Sequence, residues 1–334
     1  MSHRKILIFT MALLLGGANA HAATVIKIGN IAPERSPWNK ALQEVAADWA
    51  KISNGQVELK IYAGGIAGSE EDMLRKMRLG TLGAGVFTTL GMVKIAPDVF
   101  VLSTPFLWDS QQEFQAVFDQ LKPVFQKEVE AKGFKHLLWT QAGWSYFFTK
   151  DKVVYPEDLK KHKISFATGE PEMEQAWKSM GYQVVPNDLK DLMIGLQSGL
   201  VDSFYLPPLL AASGQYFALA PHMLDLPLAP LLGGLVLTGR AWESIPEAFR
   251  EPMQQSLAKA AEQLVLETQG LENEAIKTMQ DNGLTVEKPP ADALGKWRAV
   301  AARGNDALTE KAFSKEIYQK TLALIAEYRK QGAR

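Results

Sequence analysis

The chain has 334 residues, of which 47% are hydrophobic and 22% charged, with a formal net charge of -1 and no cysteine. That length carries more than one ordinary core, and that balance is globular. The near-zero charge, with no basic block, excludes nucleic acid as a partner, because phosphate binding needs a clustered positive field. The missing cysteines exclude disulfides, thiolate metal sites and a lipid-modified cysteine.

Arg4 and Lys5 precede an apolar run from Ile6 to Leu15, and small residues follow at Ala18, Ala20 and Ala22. This order predicts a cleavable signal peptide over 1–22, cut after Ala20 or Ala22, and a periplasmic product. The apolar run is too short to span about 30 Å of hydrocarbon. Val25 to Gly29 reads as a strand. Ser36-Pro37 offers a helix cap, and Trp38, Leu42, Val45, Trp49 and Ile52 recur at helical spacing. Gln56 to Tyr62 alternates as a strand. Ser69 caps a helix through Arg78, and Gly83 to Phe87 is strand again. A β-α-β-α-β opening predicts a mostly parallel sheet covered by helices. Ser110 to Lys132 follows as helix, with strands at Lys135 to Trp139 and Ser145 to Lys150.

A second α/β unit begins with a strand at His162 to Phe166, then a helix over Glu170 to Met180. A helix over Leu189 to Leu196 ends near Gly199, and "VDSFY" is the next strand. Gly233 to Gly239 is a buried apolar strand. Two long helical stretches close the chain, roughly Pro246 to Asn282 and Ala293 to Lys330. No linker separates the two units, so two α/β lobes joined by crossing strands, with a cleft between, are expected.

Catalytic motifs are absent: no HExxH, no GxSxG, no phosphate loop and no GxGxxG. His136, His162 and His222 show no partner by spacing, and His162 in "LKKHK" reads as a solvated residue. Neither a cofactor nor a metal is expected. Aromatic residues stand out instead, at predicted strand ends where open α/β sheets bind ligands. The ordinary alternative is that each of them is core.

Four segments together resemble the extracytoplasmic solute-binding proteins of tripartite ATP-independent periplasmic (TRAP) transporters, dicarboxylate-binding type. They are Ile26 to Leu42, Ile61 to Gly85, Leu102 to Phe114 and Tyr155 to Pro208, collinear over most of the chain. The resemblance implies a two-lobed α/β periplasmic-binding-protein fold, type II-like, each lobe a mixed sheet flanked by helices. The lobes would be 24–142 with a return segment near 235–285, and 143–234, with 286–334 a helical segment packed on both. It implies a non-enzymatic receptor for a small-molecule ligand, with TRAP membrane subunits as partners and a periplasmic accessory protein as a further one. Where the family commonly has a carboxylate-binding arginine, "HKISF" has Ser165, and the segment around Trp144 has no cation. The ligand-lining residues expected are Trp38, Phe87, Thr88, Trp144, Tyr146, Ser165, Phe166, Phe204 and Tyr205, around a hydrophobic ligand or hydrophobic organic acid. The alternatives are a small carboxylate held by another cation, such as Arg35 or Arg78, or an enzyme or sensor using the same cleft.

Overall fold

The computed structural model describes residues 23–167 and 171–332, so the expected signal segment lies outside the described residues. Strand β1 (Thr24–Gly29) pairs in parallel with β2 (Val57–Tyr62) and β3 (Ala84–Thr88). The helix between β1 and β2, Pro37–Ile52, starts where Ser36 accepts a hydrogen bond from the Asn39 N–H and Pro37 supplies a pre-set φ. Its apolar stripe buries Leu42, Val45 and Trp49, and the Trp49 indole N–H donates to Met253 O at 3.2 Å. The Glu70–Arg78 helix begins with a capping box, Ser69 with Asp72, and its three acidic first-turn residues complement the helix dipole.

Two strands are longer than their sequence pattern suggests. The segments read separately at Lys135 to Trp139 and Ser145 to Lys150 form one strand, β4 (Phe134–Thr149). Bulges between His136 and Leu138 and between Gln141 and Trp144 let it stay paired through both segments. Gly143, at φ 110, supplies backbone freedom that a residue with a Cβ rarely has. Strands β5 (Lys163–Phe166), β6 (Gln183–Pro186), β7 (Ser203–Leu206) and β8 (His222–Leu224) follow, then β9 (Ala229–Thr238) and β10 (Thr285–Glu287). The sheet order is β2-β1-β3-β9-β4-β7-β5-β6, with β8 joining β4 to β10. Antiparallel β9 and β4 occupy the middle, so the parallel β1–β3 and β5–β6 groups stand at opposite ends. The result is a two-lobed α/β fold whose lobes share the strands β4 and β9.

The last segment ties both lobes together. The Glu247–Asp281 helix packs on Pro37–Ile52 in one lobe and on the Pro208–Ser213 helix in the other. The helical stretch read as continuous from Ala293 is broken into Ala293–Leu308 and Lys315–Gly332. Glu310 at φ 68 turns the chain, and Ser314 restarts the helix by accepting from the Ile317 N–H. The first of these helices packs on Pro171–Ser179, the second on Gln111–Ala131. Trp297 is fully buried beside Phe106 and Phe147. Arg329 grips the buried Glu113 carboxylate through two hydrogen bonds of 2.7 and 2.8 Å.

Candidate functional site: the cleft between the lobes

A cavity of about 400 Å³ opens where the ends of β1, β3, β5 and β7 face the crossing strands. It is lined mainly by apolar side chains from both lobes. Phe87 and Leu90 stand on one side, Phe166, Trp177 and Tyr205 on the other, and Leu228 to Leu232 of the β9 region run between. Among the described residues no lysine, arginine or histidine lines it, and Asp188 is the charged residue that does. Arg35 and Arg78 are exposed and are not among the lining residues.

Seven of the expected residues meet at this cleft: Trp38, Phe87, Thr88, Ser165, Phe166, Phe204 and Tyr205. Phe87, Phe166 and Phe204 are nearly fully buried, so they form a backing layer that shows the cleft little more than edges. Phe166 meets Tyr205 edge-on at 5.2 Å, and Phe204 stacks on Phe148 at 5.0 Å. Trp144 and Tyr146 are directed elsewhere. From β4 the lining residues are Thr140, Ala142 and Ser145, a sequence that skips at the Gly143 bulge. The extra residue reverses the alternation, so 145 takes the face that 144 and 146 would hold in a regular strand. Trp144 instead packs on Phe114 and donates to Gln111 Oε1 at 2.7 Å. Tyr146 packs in a separate core with Phe204 and Met279, and burial, with Asp225 and Glu272 nearby, pushes its phenol up to about 12.

The polar groups at the cleft are held by the protein itself. The Ser165 hydroxyl donates to Asn187 O and accepts from Asn187 Nδ2, each at 3.1 Å. Thr88 offers both its N–H and, at 2.9 Å, its hydroxyl to Glu70. Burial raises the Glu70 carboxyl above the usual range, against the lowering effect of those hydrogen bonds. Asn30, Asn187 and Leu232 escaped the sequence reading. They follow strand ends or sit inside an apolar strand, and only the topology brings them to the cleft.

Two of the three histidines, His162 and His222, do have acidic partners, contrary to the reading by spacing. His162 is buried against Asp202 at 3.2 Å, and His222 meets Glu287 at 2.8 Å. Neither pair lines the cleft. Burial pulls His136 down to about 4, which keeps it neutral. Among the described residues no cluster of His, Asp or Glu could hold a metal, and no helix is long and apolar enough to cross a membrane.

A two-lobed sheet fold with a ligand-sized cleft between its lobes is the architecture of solute-binding proteins. Residues 28–312 match the family of bacterial extracellular solute-binding proteins, family 7 (DctP), and the chain belongs to that family. A solute-binding protein of Chromohalobacter salexigens is 26% identical over 256 residues, covering 74% of this chain and 73% of that one. A TRAP periplasmic solute-binding protein of Desulfovibrio salexigens, solved with bound orotic acid, superposes with a TM-score of 0.82 at 17% identity. The match covers 92% of this chain and 99% of that one. One from Chromohalobacter salexigens, solved with bound D-glucuronate, gives 0.81 at 20% identity over 90% and 99%.

Proposed function

We propose that this protein is the periplasmic receptor of a TRAP-type secondary transporter, and that its ligand is largely apolar. The observation that carries the ligand class is the absence of lysine, arginine and histidine from the cleft lining among the described residues. Orotate and D-glucuronate, the ligands bound by the two structural neighbours, are acids. Such an acid, buried here, would lose water without gaining a cation, at a cost of several kcal/mol. Removing roughly 200 Å² of apolar ligand surface from water yields about 5 kcal/mol at ~25 cal/mol/Å². Lobe ordering and lost ligand freedom subtract from that.

In this reading residues 24–142, with a return near 235–285, form one lobe, 143–234 the other, and 286–334 straps both. A ligand that touches both lobes favours the closed form by its differential affinity. The closed form then docks on the membrane subunits of the permease, and an accessory protein supplies the ligand where its solubility is low. The cleft residues act by binding, not by turnover.

Mass spectrometry of an organic extract of the purified, undenatured protein tests this. An apolar compound in near-stoichiometric amount is the expected result. A small dicarboxylate or uronate carried in its place would overturn it.

A further inference from the structure

Accepting that the ligand is largely apolar, the size of ligand the cleft admits depends on where the Phe87 ring lies. Phe87 borders the cavity, yet the residue is only 1% exposed. Two glycines make that retreat possible. A methyl group on Gly85, two residues earlier on the same face of β3, would stand 2.6 Å from Phe87 Cε2 and 2.7 Å from Cζ, at the tip of the ring. One on Gly91, in the short helix Thr89–Met92 that follows β3, would stand 2.5 Å from Cδ1 and 2.9 Å from Cβ, at its root. All of these lie well inside the ~3.5–4 Å of ordinary carbon contact. The ring therefore lies lengthwise over two positions that carry no side chain.

The backbone does not require glycine at either position, since neither has a positive φ. Glycine inside a strand packs nothing, and inside a helix it is a poorer choice than alanine. The chain carries both drawbacks around one ring, and what they supply is room. The core that shares this ring is full. Met77, whose sulfur would lie 3.1 Å from the same Gly85 methyl, is 2% exposed, and Met73 and Met92 in that core are fully buried. The open space that Phe87 borders is the cavity of about 400 Å³, so a ring displaced from the two glycines has only the cavity to move into.

We infer that Gly85 and Gly91 set the upper size of the ligand: they let the Phe87 ring lie back from the cleft and so leave room for a broad apolar skeleton against the end of β3. The two glycines touch no ligand themselves and act through the ring.

Calorimetric titration with neutral probes of rising breadth tests the assignment: benzyl alcohol, 2-naphthalenemethanol and 1-pyrenemethanol. Wild type should bind all three, the largest most tightly because it buries the most apolar surface. Gly85→Ala and Gly91→Ala should weaken 1-pyrenemethanol by about tenfold or more, the scale of forcing a group into filled space, and leave benzyl alcohol within about twofold. Phe87→Leu in the Gly85→Ala background should restore 1-pyrenemethanol, since no ring tip remains to be displaced. Where a single variant does not melt cooperatively, Phe87→Trp takes its place: the longer ring overruns Gly85 and should show the same size-dependent loss. A loss equal across the probes, no loss in any folded variant, no recovery in the double variant, or a wild type that binds benzyl alcohol but not 1-pyrenemethanol would overturn the size assignment and leave the apolar reading standing. A wild type that binds none of the three would overturn both.

Discussion

At the scale of single residues, Ser165 decides how the β5 end meets the cleft. Its hydroxyl bridges to Asn187, and the side chain is 8% exposed. Ser165→Arg would place a guanidinium beside Phe166, break that bridge and bury a charge in a mainly apolar lining. Affinity for the carried ligand should fall at least tenfold in a titration, and weak affinity for D-glucuronate or succinate should appear. Unchanged affinity in a folded variant would remove Ser165 from the site. The residue scale is also where the sequence was least legible. Phe204 and Tyr205 stand out in "VDSFYLPP" because large apolar groups at a strand end invite a ligand. Trp144 and Tyr146 stand out for the same reason and point elsewhere, because one glycine inserted in a strand changes the face of everything after it. Nothing in the local pattern announces that Gly143 is a bulge rather than a strand end.

At the scale of elements, the helices were the most legible, since caps and 3.6-residue stripes are local signals. The break at residues 309–314 was missed because its cause is partly tertiary: the Ser314 N–H and hydroxyl both bond to Asp98, over two hundred positions away. The Glu247–Asp281 helix carries a second feature of this kind. Its Glu272 is pressed against the Gly143 bulge, with one carboxylate oxygen unpartnered, and burial pushes its pKa up to about 7 despite a Leu209 backbone hydrogen bond. The folded chain therefore holds this proton where the unfolded chain, near the ordinary 4.5, has lost it. The stabilising contribution is complete below about pH 4.5 and is lost as pH rises through 7. Glu272→Gln should melt progressively higher relative to wild type between pH 5 and 8, a gap on the order of 2 kcal/mol. A gap that does not change with pH would contradict this. His136, held down at about 4, works the opposite way, losing its contribution as pH falls from its ordinary 6.5. It is present in both proteins, so it cancels from the difference.

At the scale of the whole molecule, the two α/β units and their crossing connections could be read from element order, because parallel units separated by no linker must share a sheet or pack on one another. That β4 and β9 run unbroken through both lobes could not, since pairing partners more than eighty positions apart leave no local trace. This shared pair joins the two halves of the sheet. A loop hinge swings freely until something stops it. A hydrogen-bonded two-stranded ribbon resists from the first degree, because bending it distorts every amide pair along its length. Under the proposed closure the β4–β9 ribbon would act as a leaf spring, with the Gly143 bulge as its thin section. Amide hydrogen exchange at 141–145 and 229–232 should therefore slow when the cleft is filled, and slow more than in the outer strands β2 and β6. A spring of this kind has a rest position, so under the proposed closure emptying the cleft would return the lobes to one defined shape without any outside work to reset them.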